Sequence, residues 1–194
     1  MNTRIMITGI LVTAAACSLA EVSQQEDLEF FRDPAFRKAF LGSYGVNTDI
    51  EPRVNDEEWE LMEQAQELLA GPNNLNRARA FLLQTVRQNP RCNAIFDFTL
   101  ANILFQQEMP NVAAKYYRRA IEKFPNYQRA YKNLGIIEVR LEHFDAAVDV
   151  LAKAVELGAT DSITYGLLGY AHSMNGDFVA AEMPYRQAIT LKPD

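Results

Sequence analysis

Arg129, Lys132 and Arg140 put three cations on one short stretch, and Asn102 and Asn133 add two amides thirty-one residues apart. Cations and amide donors together hold carboxylates through charge-assisted hydrogen bonds. Phe105, Val139, Tyr170 and Met174 recur around them and would supply apolar walls. That chemistry is recognition. Residues for bond-making are missing: no P-loop, G-x-G-x-x-G, H-E-x-x-H or G-x-S-x-G motif occurs. Two histidines, His143 and His172, and two cysteines, Cys17 and Cys92, lack the spacing of a Cys/His zinc site and are too few for a disulfide-stapled scaffold. No enzyme, metal or cofactor is expected. The 194 residues carry 19 basic and 25 acidic side chains, a net charge of −6, and 48% hydrophobic residues. This is the balance of a globular chain with no general affinity for nucleic acid or an anionic membrane.

The elements that position these residues follow from a period of 34. Blocks beginning at Ala94, Gln128 and Ser162 superpose. Their eighth positions are Ala101, Gly135 and Gly169; their twentieth are Ala113, Ala147 and Ala181; their twenty-seventh are Ala120, Ala154 and Ala188. Small residues there let two antiparallel helices approach closely. The large residue at the twenty-fourth position, Tyr117, Leu151 or Tyr185, fills the adjacent space. Pro125 and Pro193 end second helices, lacking the N–H that a helix needs. The pattern, with Tyr131 and Tyr165 at the fourth position, resembles the tetratricopeptide repeat family. The resemblance implies an all-α fold, a right-handed superhelical solenoid of antiparallel helix pairs, with repeats over 93–127, 128–161 and 162–194.

A divergent pair is expected over 56–92. Asn55 and Glu58 make a capping box before the apolar run Leu61, Met62, Ala65, Leu68 and Leu69; Gly71-Pro72 stops that helix and Asn74 caps the next. Residues 21–55 form a leader. Asp33-Pro34 starts a short helix that puts Phe36 and Phe40 on one face, beside Phe30 and Phe31. These aromatics either cover the open end of the first repeat or dock a partner. Residues 1–20 read as a signal peptide, with Arg4 ahead of the uncharged run Ile5 to Ala16. Two cleavage readings stay open. Ser18-Leu19-Ala20 suits an ordinary signal peptidase, whereas Ala14-Ala15-Ala16-Cys17 resembles a lipobox, with lipidation at Cys17 and membrane anchoring only in that case. Either way the expected location is the periplasm.

In such a solenoid the first helix of each pair lines a concave groove. The groove positions hold Asn102 and Phe105 from one unit, Arg129, Lys132, Asn133, Val139 and Arg140 from the next, and Tyr170 and Met174 from the last. A basic middle between aromatic and aliphatic walls suits a peptide with acidic and apolar side chains. Asn102 and Asn133 fall where chaperone-binding members of the family place asparagines that hold a terminal carboxylate. Phe98, Ile163 and Leu167 occupy that clamp's basic positions, so the clamp is incomplete.

The segments FLGSYGVNTDIEPRV at 40–54, FDFTLAN at 96–102 and RAIEKFPNYQRAYKNLG at 119–135 resemble exported tetratricopeptide proteins encoded with TonB–ExbB–ExbD systems in Gram-negative bacteria. The resemblance implies a non-enzymatic accessory of TonB-dependent uptake whose partner is a protein or peptide, a TonB, ExbB or ExbD component among the candidates. The alternative is an adaptor for cell-envelope or outer-membrane assembly that uses Phe36 and Phe40. Members of that group carry further repeats, so the sequence is expected to be an N-terminal portion of a longer array; the other reading has the last face covered by another copy. Oligomeric state is left open.

Overall fold

The computed structural model describes residues 49–70 and 74–192. The segment 1–20, Cys17, Phe30, Phe31, Phe36 and Phe40 lie outside them. The described residues form eight helices and no strand: α1 (Asp56–Ala70), α2 (Asn74–Gln88), α3 (Ala94–Gln106), α4 (Pro110–Lys123), α5 (Gln128–Arg140), α6 (Phe144–Glu156), α7 (Ser162–Met174) and α8 (Phe178–Leu191). Each helix packs on the next, and α5 also touches α7. The result is a stack of helix pairs whose core is distributed along the array.

Several helices start and stop for visible reasons. The Asn55–Glu58 capping box forms in both directions, at 3.2 and 2.9 Å. Asn93, Asp161 and Asp177 cap α3, α7 and α8 by accepting bonds from Ile95, Thr164 and Ala180. Asn74 does something other than the sequence suggested. It is the first residue of α2, and its side-chain Nδ2 donates at 2.6 Å to the Leu69 carbonyl of α1. Within each of the last three pairs the first helix ends in a 6→1 bond: Met109 N to Leu104 O, His143 N to Glu138 O and Asp177 N to His172 O. The residue ahead of each donor has a positive φ: Glu108, Glu142 and Gly176, again 34 apart. Only the last is the glycine that this conformation favours.

Small positions set the spacing. Ala113, Ala120, Ala147 and Ala154 are wholly buried. A Cβ on Gly135 would collide with Leu151 of α6, and one on Gly169 would come within 2.8 Å of the Tyr185 ring of α8. Between pairs, Ala147 and Leu151 of α6 meet Leu168 and Ala171 of α7, with Val139, Val148, Val155 and Leu167 packed around them. Helix α3 is buried all round, every residue from Ala94 to Phe105, which places it at the densest point of the stack. Cys92 is buried just before it, where Lys123 Nζ donates to its carbonyl at 2.9 Å.

Candidate functional site

The first helices α3, α5 and α7 bring the groove candidates together, but not as a uniformly open surface. Asn102, Asn133 and Phe105 are buried, which corrects the expectation that they line an open wall. Asn102 Oδ1 accepts from the Tyr117 hydroxyl of α4 and, at 3.3 Å, from Asn133 Nδ2. Burial pushes the Tyr117 phenol well above its ordinary range, so the hydroxyl keeps its proton and serves as the donor. Among the described residues Asn102 Nδ2 has no hydrogen-bond partner. Phe98 is core too, with its ring 5.7 Å from Tyr117 and 4.8 Å from Tyr127. Val139 is half-buried against the α6–α7 cluster. Tyr170 and Met174 stay exposed, Tyr170 edge-on to Phe144 at 5.9 Å.

The three cations are half-buried and each faces a carboxylate from a different part of the chain. Lys132 Nζ donates to Asp161 Oδ2 at 2.8 Å, and Asp161 also caps α7 through Thr164 N and accepts from its hydroxyl. Arg140 pairs with Glu108 in the α3–α4 turn, its guanidinium 5.5 Å above the Phe105 ring. Arg129 Nε lies 3.6 Å from Glu51 Oε1, and its guanidinium stacks 5.1 Å from the centre of Phe98. Sequence reasoning found the cations and missed their acids. Asp161 carried a signal, an Asp directly before a helix start; Glu51 and Glu108 carried none, because their partners lie 78 and 32 residues away.

Electrostatics separates the acids. Burial pushes the Glu51 carboxyl above its ordinary range, and Arg129 only partly offsets that. Burial acts on Asp161 in the same direction, but the bond and charge of Lys132, with the Thr164 bonds, outweigh it and leave the carboxyl below its ordinary range.

Other charged groups are structural. Asp97 is fully buried in α3 with Lys123 at 2.5 Å and Arg119 at 3.3 Å, held by ion pairing more than by aligned hydrogen bonds. Glu138 is buried in α5 between Arg118 and, at 2.9 Å, His143 Nδ1. Among the described residues no group of His, Cys, Asp and Glu could hold a metal.

This geometry has known counterparts. Residues 98–162 match the model of the tetratricopeptide repeat family, and the helix pairs around them continue the same arrangement. MamA residues 41 to the end, from Desulfovibrio magneticus RS-1, superposes with a TM-score of 0.64 at 18% identity, over 73% of this chain and 78% of that one. A MamA double mutant labelled RS-1 ArsTM gives the same figures. Another crystal structure of MamA gives 0.60 at 20% identity, over 69% and 72%. These likenesses show a shared fold. No curated protein matches the chain by sequence.

Proposed function

We propose that the protein is a non-enzymatic interaction scaffold whose first-helix face, centred on α5, captures a protein segment bearing acidic and apolar side chains. One observation carries this reading. Arg129, Lys132 and Arg140 each already hold a carboxylate supplied by another part of the chain, and α7, the first helix of the next pair, which α5 touches, carries the exposed Tyr170 and Met174. A surface that satisfies its own acids in this way has the donors and the apolar margin that a partner's acids require. The repeat fold supports the general role, since such repeats serve as protein-binding scaffolds.

The finer reading is a periplasmic accessory of a TonB-dependent uptake system. Its support is the signal-like sequence of residues 1–20 and the resemblance of 40–54 and the repeats to exported proteins encoded with TonB, ExbB and ExbD. Crosslinking pull-down of the exported protein, comparing wild type with Lys132→Glu/Arg140→Glu, tests the face. The charge-reversed chain is expected to lose its partner. Loss instead in Phe36→Ala/Phe40→Ala would move the binding to the leader and favour the envelope-assembly adaptor. A labelled periplasmic segment of TonB tests the system assignment, and no binding at high micromolar concentration would count against direct contact.

A further inference from the structure

The three acids that pair with α5 are not held alike. Asp161 is the N-cap of α7, so moving it also unmakes two bonds to Thr164. Glu108 occupies the positive-φ position of the α3–α4 turn, fixed by the bonds that end α3. Glu51 belongs to no helix. It sits in the non-helical run 49–55, tied on its C-terminal side where Arg53 O accepts from Asn93 Nδ2 at 2.5 Å and where Asn55 caps α1. Yet its carboxylate reaches α5 and is mostly covered, with 11% of the side chain exposed against 17% for Arg129.

The run that delivers it has the composition the face calls for. Asp49-Ile50-Glu51-Pro52 alternates acid, aliphatic and acid and then closes with proline, which disfavours a helical conformation at Glu51. Unlike Asp161 and Glu108, Glu51 is neither a helix cap nor part of a helix-ending turn, and it meets α5 through the ion pair with Arg129.

We propose that the Asp49–Asn55 strap is an internal occupant of the α5 face, and that an acidic partner segment binds by displacing Glu51 from Arg129. This rests on the scaffold reading above and sharpens it. The partner would present an acid–apolar–acid run in non-helical form, Arg129 is the position it takes over, and the strap lowers its affinity for as long as it stays seated. Lys132 and Arg140 remain with their built-in acids and frame the site.

The test uses the full chain and a fluorescein-labelled peptide with the sequence of residues 49–55. The Glu51→Ala chain, which removes the Glu51 carboxylate from Arg129, should bind the peptide about tenfold more tightly than wild type, the equivalent of roughly 1.4 kcal/mol. Arg129→Glu placed on Glu51→Ala should abolish that binding, and Arg129→Gln, milder on folding, should weaken it. Unchanged circular dichroism confirms that each chain is folded. Equal affinity of wild type and Glu51→Ala would overturn the proposal. So would binding that survives loss of the Arg129 charge, or no binding by Glu51→Ala at about 5 mM peptide, the scale of a tethered segment's effective concentration. The scaffold reading fails separately, on the pull-down with Lys132→Glu/Arg140→Glu, which leaves Arg129 and Glu51 intact.

Discussion

Glu51 and Asp161 serve two cations of one helix in opposite electrostatic circumstances, and acid should tell them apart. The Glu51 carboxyl is raised above 4.5, chiefly by burial, so the fold favours its neutral form. Its contribution to stability is therefore full below that value and is lost as pH rises through the higher folded value; at neutrality its charged form is held at a cost, which suits an exchangeable occupant. Asp161 is lowered below 3.8 once Lys132 and Thr164 outweigh burial, so its contribution is present above that value and is lost as pH falls through the folded one. On acidification Glu51 is expected to take up its proton first, opening the contact to Arg129 while Lys132–Asp161 persists. Carboxyl-carbon NMR titration reads the two midpoints directly. A midpoint for Glu51 at or below that of Asp161 would contradict the assignment.

At the scale of elements, the close approach of paired helices rests on the eighth position of the repeat, and its two glycines differ in what they face. Leu151 is fully buried and has nowhere to go when Gly135 gains a methyl group, whereas Tyr185 is 36% exposed and can swing away from Gly169. Overpacking costs about 1–3 kcal/mol, and replacing helical glycine by alanine returns about 1 kcal/mol of propensity. Gly135→Ala should thus destabilise by about 1–2 kcal/mol and Gly169→Ala by less than about 0.5 kcal/mol, read from urea midpoints. These helix pairs were legible in the sequence because a 34-residue period carries small residues, aromatics and prolines together, each with a local steric task. The Asn55 cap was legible for the same reason, being settled within four residues. The burial of Asn102, Asn133 and Phe105 was not, since a position on the first-helix face does not say what covers it. Nor were the pairings of Arg129 and Arg140, whose acids sit in a strap and a turn that the periodicity does not constrain.

Over the whole molecule, the stack has neighbours in place of a centre, and a lesion in it should stay local. Tyr117 is the useful place to look, because its hydroxyl joins α4 to Asn102 of α3 and lies 3.3 Å from Asn133 Nδ2 of α5. Tyr117→Phe keeps the ring that packs on Phe98 and removes only the polar link. Asn102 would then keep one donor, Asn133, for its buried carbonyl, and among the described residues its amide has no partner to fall back on. A buried group left short of hydrogen bonds costs about 1–3 kcal/mol. In an array whose units touch only their neighbours, that loss belongs to the units that share the network. Hydrogen exchange of Tyr117→Phe should therefore accelerate across α3, α4 and α5, while α8, whose main packing is on α7, keeps its wild-type rates. Uniform acceleration from α1 to α8 would mean that the pairs unfold as one cooperative body, and the local character ascribed to the α5 face would have to be given up with it.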